Sequence, residues 1–227
     1  MNPMEAQVNA VPDGIRLYRI LVTAFEPFDG DSLNASLECA RRLRPPKGTA
    51  LFVREAPVVF SRCGDLMSRW LEETKPDAVL CLGQAAGRRG VSIERIAVNL
   101  MDARIPDNAG AQPRDLPIRP EGPDGLFATL PVRRMLDALA QRDIPAFLSD
   151  SAGTYVCNCL MYETLYLIRE RGLSAIAGFV HIPSLREQGK DGFAMPLETA
   201  AEAAETCLQV LAAQGKTAKG GGQSLCL

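Results

Sequence analysis

The sequence lacks any uncharged apolar run near the roughly 18 residues a membrane-crossing helix requires, which excludes a transmembrane helix. Little at the start suggests a secretory leader: Met1 to Gly14 carries Glu5, Asp13 and two prolines, with no basic residue and no apolar stretch, and is expected to be a flexible lead-in. The expected address is the cytoplasm. Charge of one sign is missing as well. With 25 Lys plus Arg against 27 Asp plus Glu, the net charge of −2 argues against a broad electrostatic footprint for nucleic acid or an acidic membrane surface.

A disulfide or zinc pattern is absent too. The seven cysteines are odd in number and have no repeating spacing, and Cys157 and Cys159 have only His181 as a strong nitrogen ligand, so no metal is expected. Asn34-Ala35-Ser36 matches a glycosylation sequon that a cytoplasmic chain would never present for modification. No Pro/Gly/Ser linker and no internal repeat divides the 227 residues.

What is present is an alternation of strand-like and helix-like segments. Arg16 to Thr23, Leu51 to Val59, Asp77 to Leu82, Val91 to Leu100, Ala146 to Ser149 and Ala175 to Ile182 read as strands. Ser36 to Leu43, Asp65 to Thr74, Pro131 to Gln141, Val156 to Arg171 and Leu197 to Ala213 read as helices. The proline-rich stretch Met101 to Gly125 suits neither, and is expected to leave the sheet as a flap or an oligomer contact. The order predicts a single-domain α/β protein, a three-layer α/β/α sandwich around a mainly parallel twisted sheet, over residues 15–214, with residues 215–227 as a loose tail.

In such sheets ligands bind beyond the carboxyl ends of the strands. Ala24 to Gly30, Gly83 to Arg88, Ser151 to Asn158 and His181-Ile182-Pro183 follow strand ends and are expected to share one edge. Cys157 falls in the first turn of a helix after a Ser-Ala-Gly turn, where the helix terminus favours a thiolate. His181 is the one histidine available as its base. Glu94, expected on the same strand face as Ile96 and Val98, needs a partner and would orient the imidazole. Each residue also has a plain structural reading: a packed thiol, a histidine capping a strand end, an ion pair of Glu94 with Arg88 or Arg95. Convergence of all three on one edge favours a cysteine hydrolase.

At these residues the sequence resembles the pyroglutamyl-peptidase I (pyrrolidone-carboxylate peptidase) family of cysteine peptidases. AFEPFDGDSLNAS resembles the family's G-F-x-P-F-G-G with its following N-P-S, GQAAGR and ERIAVNLMDARIPDN resemble its central block, and SAGTYVCN and GFVHIP resemble its nucleophile and histidine blocks. The resemblance implies removal of an N-terminal pyroglutamyl residue from peptides through an acyl-enzyme on Cys157, with His181 as general base and acid and Glu94 as orienter. It further implies Phe25 and Phe28 as walls for the lactam ring, peptide-group hydrogen bonds near Gln84, and Arg88 as an aid to the oxyanion. No metal or organic cofactor is implied, and the family is commonly tetrameric. Ala24, Asp29, Ala35 and Ala86 depart from the family pattern near the pocket. Two other readings compete: a nucleoside phosphorylase-like transferase, supported by Gly87-Arg88-Arg89-Gly90, and a non-catalytic pyroglutamyl-binding member of the family.

Overall fold

The computed structural model describes residues 7–8, 16–189 and 192–220. In chain order the elements are β1 (Gln7–Val8), β2 (Tyr18–Phe25), α1 (Ala35–Ala40), β3 (Thr49–Ala56), α2 (Cys63–Thr74), β4 (Ala78–Gln84), β5 (Val91–Glu94), β6 (Ile96–Val98) and β7 (Gly125–Phe127). There follow α3 (Val132–Ala140), β8 (Ala146–Ser149), α4 (Val156–Glu170), β9 (Ile176–Ile182) and α5 (Leu197–Gly220).

Seven strands form one sheet in the order β1-β3-β2-β4-β9-β5-β8, and β6 pairs with β7 in a separate ribbon. Strands β3, β2, β4 and β9 run parallel to one another, and β1 joins β3 antiparallel. Every residue of β4 is buried, because helices cover both faces and both sets of alternating side chains must be apolar. On one face Ile20, Val22 and Leu80 pack with α1, α3 and α5; on the other Leu21, Val79 and Phe179 pack with α2 and α4. Removing each such large apolar side chain from water contributes about 1.5–3 kcal/mol. The result is the three-layer α/β/α sandwich with a mainly parallel sheet. Among the described residues no helix is long and apolar enough to cross a membrane.

Helix starts follow local chemistry. Asn34 caps α1 by accepting the Ser36 N–H at 3.0 Å, and Pro131 stands immediately before α3, where its missing N–H costs nothing. α2 stops at Lys75, whose φ of 40° is left-handed.

Four expectations are corrected. The run Val91 to Leu100 is two strands: the chain breaks at Arg95, whose N–H donates to Ser149 O and whose carbonyl accepts from Ala128, and β6 leaves the main sheet. Ile96 and Val98 therefore do not share the face of Glu94 in that sheet; Ser92 does. Second, β5 runs antiparallel to β9, and β8 follows β5, so the strand ends do not all emerge together. Third, Gln7–Val8, inside the stretch read as lead-in, pairs with Ala50 and Leu51; the other residues of 1–14 lie outside the described residues. Finally, α5 continues through Gly215 to Gly220, where a tail was expected, and residues 221–227 lie outside the described residues.

The proline-rich segment folds back on itself as an arm. Its limbs are joined by Asn99 N–H to Asp124 O at 2.8 Å, Met101 N–H to Leu116 O at 2.7 Å and Ala103 N–H to Pro113 O at 2.9 Å.

Candidate active site

Alternation along β9 puts Phe179 and His181 on the α2/α4 face, with Val180 and Ile182 on the other. Directly paired residues share a face, so Gly83 of β4, in register with His181, and Ser92 and Glu94 of β5, opposite His181 and Phe179, all lie on that same side. Helix α4 delivers Cys157 from above. Gly83 is what lets these groups meet: a Cβ there would lie 2.6 Å from Phe179 Cζ and 3.1 Å from Cys157 Sγ. Gly83→Ala is accordingly expected to displace the ring and the sulfur together and lower kcat by about 10²-fold, the cost of roughly 1 Å of misplacement. Steady-state kinetics at unchanged circular dichroism checks it, and wild-type kcat would refute the close approach.

His181 Nδ1 lies 2.8 Å from Glu94 Oε1, and the two residues are 3% and 0% exposed. Since a carboxylate only accepts, Nδ1 carries the proton and Nε2 is left with its lone pair. Arg88 Nη1 donates to the same Oε1 at 2.5 Å. One oxygen of Glu94 thus meets both the His181 imidazole and the Arg88 guanidinium. Burial would raise the Glu94 carboxyl, but the His181 hydrogen bond and charge, with Arg88, hold it below its usual range. For His181 the balance is opposite: burial pulls the imidazole below its usual pKa, against the raising effect of Glu94.

Arg88 also donates from Nη1 to Ser149 Oγ at 3.3 Å and from Nη2 to Ser151 O at 3.0 Å. These bonds commit its end groups to Glu94 and to the turn before α4. The geometry makes Arg88 a brace for Glu94 and for that turn.

Cys157 is the second residue of α4, after a turn in which Gly153 has φ 78° and its N–H donates to Ser151 Oγ. The helix has no side-chain cap at Tyr155. The thiol nevertheless does not show the lowered pKa expected from the helix terminus. Burial first, then the Glu94 carboxylate, push it up to about 12, outweighing Arg88 and the local backbone N–H. Among the described residues no hydrogen bond joins Cys157 Sγ to His181, which are neighbours across Gly83. The resting pair is a neutral thiol beside a neutral imidazole.

Next to Cys157 is a narrow, nearly closed, mainly apolar pocket lined by Phe25, Phe28, Val58, Tyr155 and Val156. Asn34 and Gln84 complete the wall. Phe25 and Phe28 thus lie beside Cys157. Phe28 and Tyr155 rings lie 6.2 Å apart, and Phe60 meets Tyr155 edge-on at 5.4 Å. Tyr155, Val58 and Asn34 were not foreseen. Tyr155 could have been, since it stands two residues before the candidate nucleophile; Val58 carries no sequence signal beyond its place after a strand. Gln84 Oε1 accepts from Ala35 N–H at 2.7 Å and Gln188 Nε2 at 3.2 Å.

The departures from the family pattern have definite settings. Ala24 and Ala86 do not have positive φ; the left-handed position is Gly87, at 81°. Asp29 has φ 54°, a conformation aspartate tolerates better than most, and its side chain is exposed. At Ala35 the N–H bond to Gln84 is one that proline could not make.

The family model for pyroglutamyl peptidase matches residues 18–214. A pyrrolidone-carboxylate peptidase of Streptococcus pyogenes serotype M1 is 47% identical over 174 residues, 76% of this chain and 81% of the relative. One from Thermococcus onnurineus is 44% identical over 194 residues, 84% of this chain and 97% of the relative. Among solved structures, the pyrrolidone carboxyl peptidase of the hyperthermophile Pyrococcus furiosus superposes with a TM-score of 0.83 at 39% identity, over 86% of this chain and 99% of that one. Four ordered sequence blocks, a matching fold and this identity over most of both chains lead to one conclusion: the chain belongs to the pyroglutamyl peptidase family.

Proposed function

We propose that this chain is a cysteine-type omega peptidase that hydrolyses the peptide bond after an N-terminal pyroglutamyl residue, with residues 15–214 as its catalytic unit. The observation that carries the assignment of residues is the buried Glu94–His181 pair beside Cys157 at the mouth of a small apolar pocket. A pyroglutamyl group is flat and uncharged, so Phe25, Phe28 and Tyr155 can take it from water without burying an ion. A free amino terminus would bring a positive charge into the same space, at a cost of several kcal/mol.

His181 Nε2 takes the proton from Cys157 as Sγ attacks the scissile carbonyl carbon. The negative oxygen so formed faces the uncapped first turn of α4, where N–H groups and the helix terminus favour it. Collapse breaks the C–N bond, and the imidazolium returns its proton to the leaving amine. Water, deprotonated by His181, then attacks the thioester and frees pyroglutamate. Glu94 keeps the proton on Nδ1 and stabilises the transient imidazolium. Because the thiol sits near 12 at rest, the base must act during attack; the missing resting hydrogen bond is consistent with a contact that tightens on substrate binding.

Glu94→Gln is expected to lower kcat by about 10²-fold with KM nearly unchanged. It has a second signature. Catalysis needs neutral His181, so kcat/KM falls as pH drops through a pKa held below the usual value of about 6.5. The Glu94 charge raises that pKa, so its removal shifts the acid limb to lower pH. A fully active variant with an unmoved acid limb would reduce Glu94 to a structural ion pair.

Release of fluorophore from a pyroglutamyl arylamide, with none from the prolyl analogue, tests the specificity; cleavage of both would overturn it. Arg88, the support for a phosphorylase-like reading, is held by Glu94, Ser149 and Ser151. From the family resemblance we also infer a homotetramer acting in the cytoplasm on peptides, without nucleic acid or membrane partners; light scattering tests the assembly.

A further inference from the structure

The tip of the arm is bonded to three of the loops that line the ring pocket. Asp107, 5% exposed, closes the tip by accepting from the N–H groups of Ala109 and Ala111 through Oδ1, at 2.9 and 2.8 Å. Its Oδ2 accepts from the N–H of Phe60 at 2.9 Å. Asn108 N–H donates to Val58 O at 2.9 Å. Asn108 Nδ2 donates to Glu26 Oε1 at 2.7 Å and to Pro27 O at 3.0 Å. Glu26 Oε1 in turn accepts from the N–H of Val58 at 3.0 Å. The third wall joins through the Tyr155 hydroxyl, which donates to Pro106 O at 2.8 Å.

Phe28, Val58 and Tyr155 come from three separate loops, and each is bonded, directly or through its chain neighbour, to Pro106, Asp107 or Asn108. The Phe28 ring faces the Tyr155 ring at 6.2 Å, and the loops that carry the two are both bonded to this turn, so the distance across the pocket depends on where the turn holds them. An aperture that narrow matters most for the size of ring admitted.

We propose that Asn108, supported by Asp107, is a positioning residue that sets the aperture of the lactam pocket and so selects a five-membered ring over larger lactams. The inference rests on the pocket being the pyroglutamyl site. Asn108 reaches no reacting atom; it acts through Glu26, Pro27 and Val58.

Asn108→Asp is nearly isosteric, but exchanges the donating amide for a carboxylate facing two acceptor oxygens, one of them charged. The experiment compares wild type, Asn108→Asp, Asn108→Ala and, as a control on the exposed part of the same arm, Arg114→Ala. Three quantities are read: KM and kcat on pyroglutamyl arylamide, kcat/KM on the six-membered lactam homologue, and the rate at which iodoacetamide alkylates Cys157. For Asn108→Asp the expected result is a rise in KM of about tenfold, the scale of a lost hydrogen bond to a charged group, with kcat held to within about twofold. The relative rate on the larger ring and the alkylation of Cys157 both increase. Asn108→Ala moves each quantity in the same direction by less, and still reports if the aspartate variant does not fold. Arg114→Ala moves none of them. Unchanged KM, ring preference and alkylation in both Asn108 variants would overturn the proposal, and so would a fall in kcat at constant KM. Failure of the wild type to cleave any pyroglutamyl substrate would instead remove the functional reading, while the alkylation rates would still decide whether Asn108 sets the aperture.

Discussion

Cys157→Ala is expected to lose turnover of a pyroglutamyl arylamide by about 10⁴-fold or more while still folding and binding pyroglutamate. The loss is chemical: without Sγ no thioester forms, and the pocket and the uncapped helix start are left to act on an attack by water alone. The fold should survive because Cys157 is half-buried and replacing it by alanine removes one sulfur from a position that makes no hydrogen bond to His181. Such a change costs about 1 kcal/mol. Cys157→Ser should fare little better, since a hydroxyl is a far weaker nucleophile than the thiolate His181 generates. Cys159→Ser provides the contrast, because Cys159 is buried and directs its sulfur toward Phe60 O, away from the pocket chemistry. Turnover by Cys157→Ala above a few per cent of wild type would remove this residue from the mechanism.

His181→Ala should cost about as much. Nucleophile and base work as a unit, so the double variant should be no slower than either single one. A thiol pushed up to about 12 has almost no thiolate at neutral pH without a base, and alkylation of Cys157 should slow in parallel. That second readout separates loss of the base from damage to the pocket. The fold should tolerate the change, because Glu94 keeps its bond to Arg88 and is not left as a lone buried charge. An alanine variant that alkylates Cys157 at the wild-type rate would show that His181 does not activate it.

Much of this was legible in the sequence where one physical demand dominates. The apolar run of β4 announces a strand covered on both sides, and the Ser-Ala-Gly turn before Cys157 announces a helix start. A sole histidine at a strand end restricts the choice of base. Legibility failed where two demands compete. Val91 to Val98 alternates as one strand would, yet the backbone changes partners at Arg95, which only the position of β7 decides. The helix terminus at Cys157 argues for a low thiol pKa, but burial and a nearby carboxylate win, and neither is visible in local sequence. Gly215 looked like the onset of a tail; in the fold it is where α5 crosses Tyr18, since a Cβ there would lie 2.6 Å from that ring. The bonds of Asp107 to Phe60 and of Asn108 to Glu26 cross 47 and 82 residues of chain, so no local pattern could reveal them.

The central claim, that Cys157 carries the pyroglutamyl group during turnover, is tested most directly by quenching the enzyme in acid during hydrolysis of a fast-acylating pyroglutamyl ester and mapping the modified peptide by mass spectrometry. The account predicts one pyroglutamyl group in thioester linkage on the peptide containing Cys157, absent from Cys157→Ala and discharged when the neutral enzyme is chased with water before the quench. An adduct on another cysteine, or steady turnover by Cys157→Ala, would contradict it.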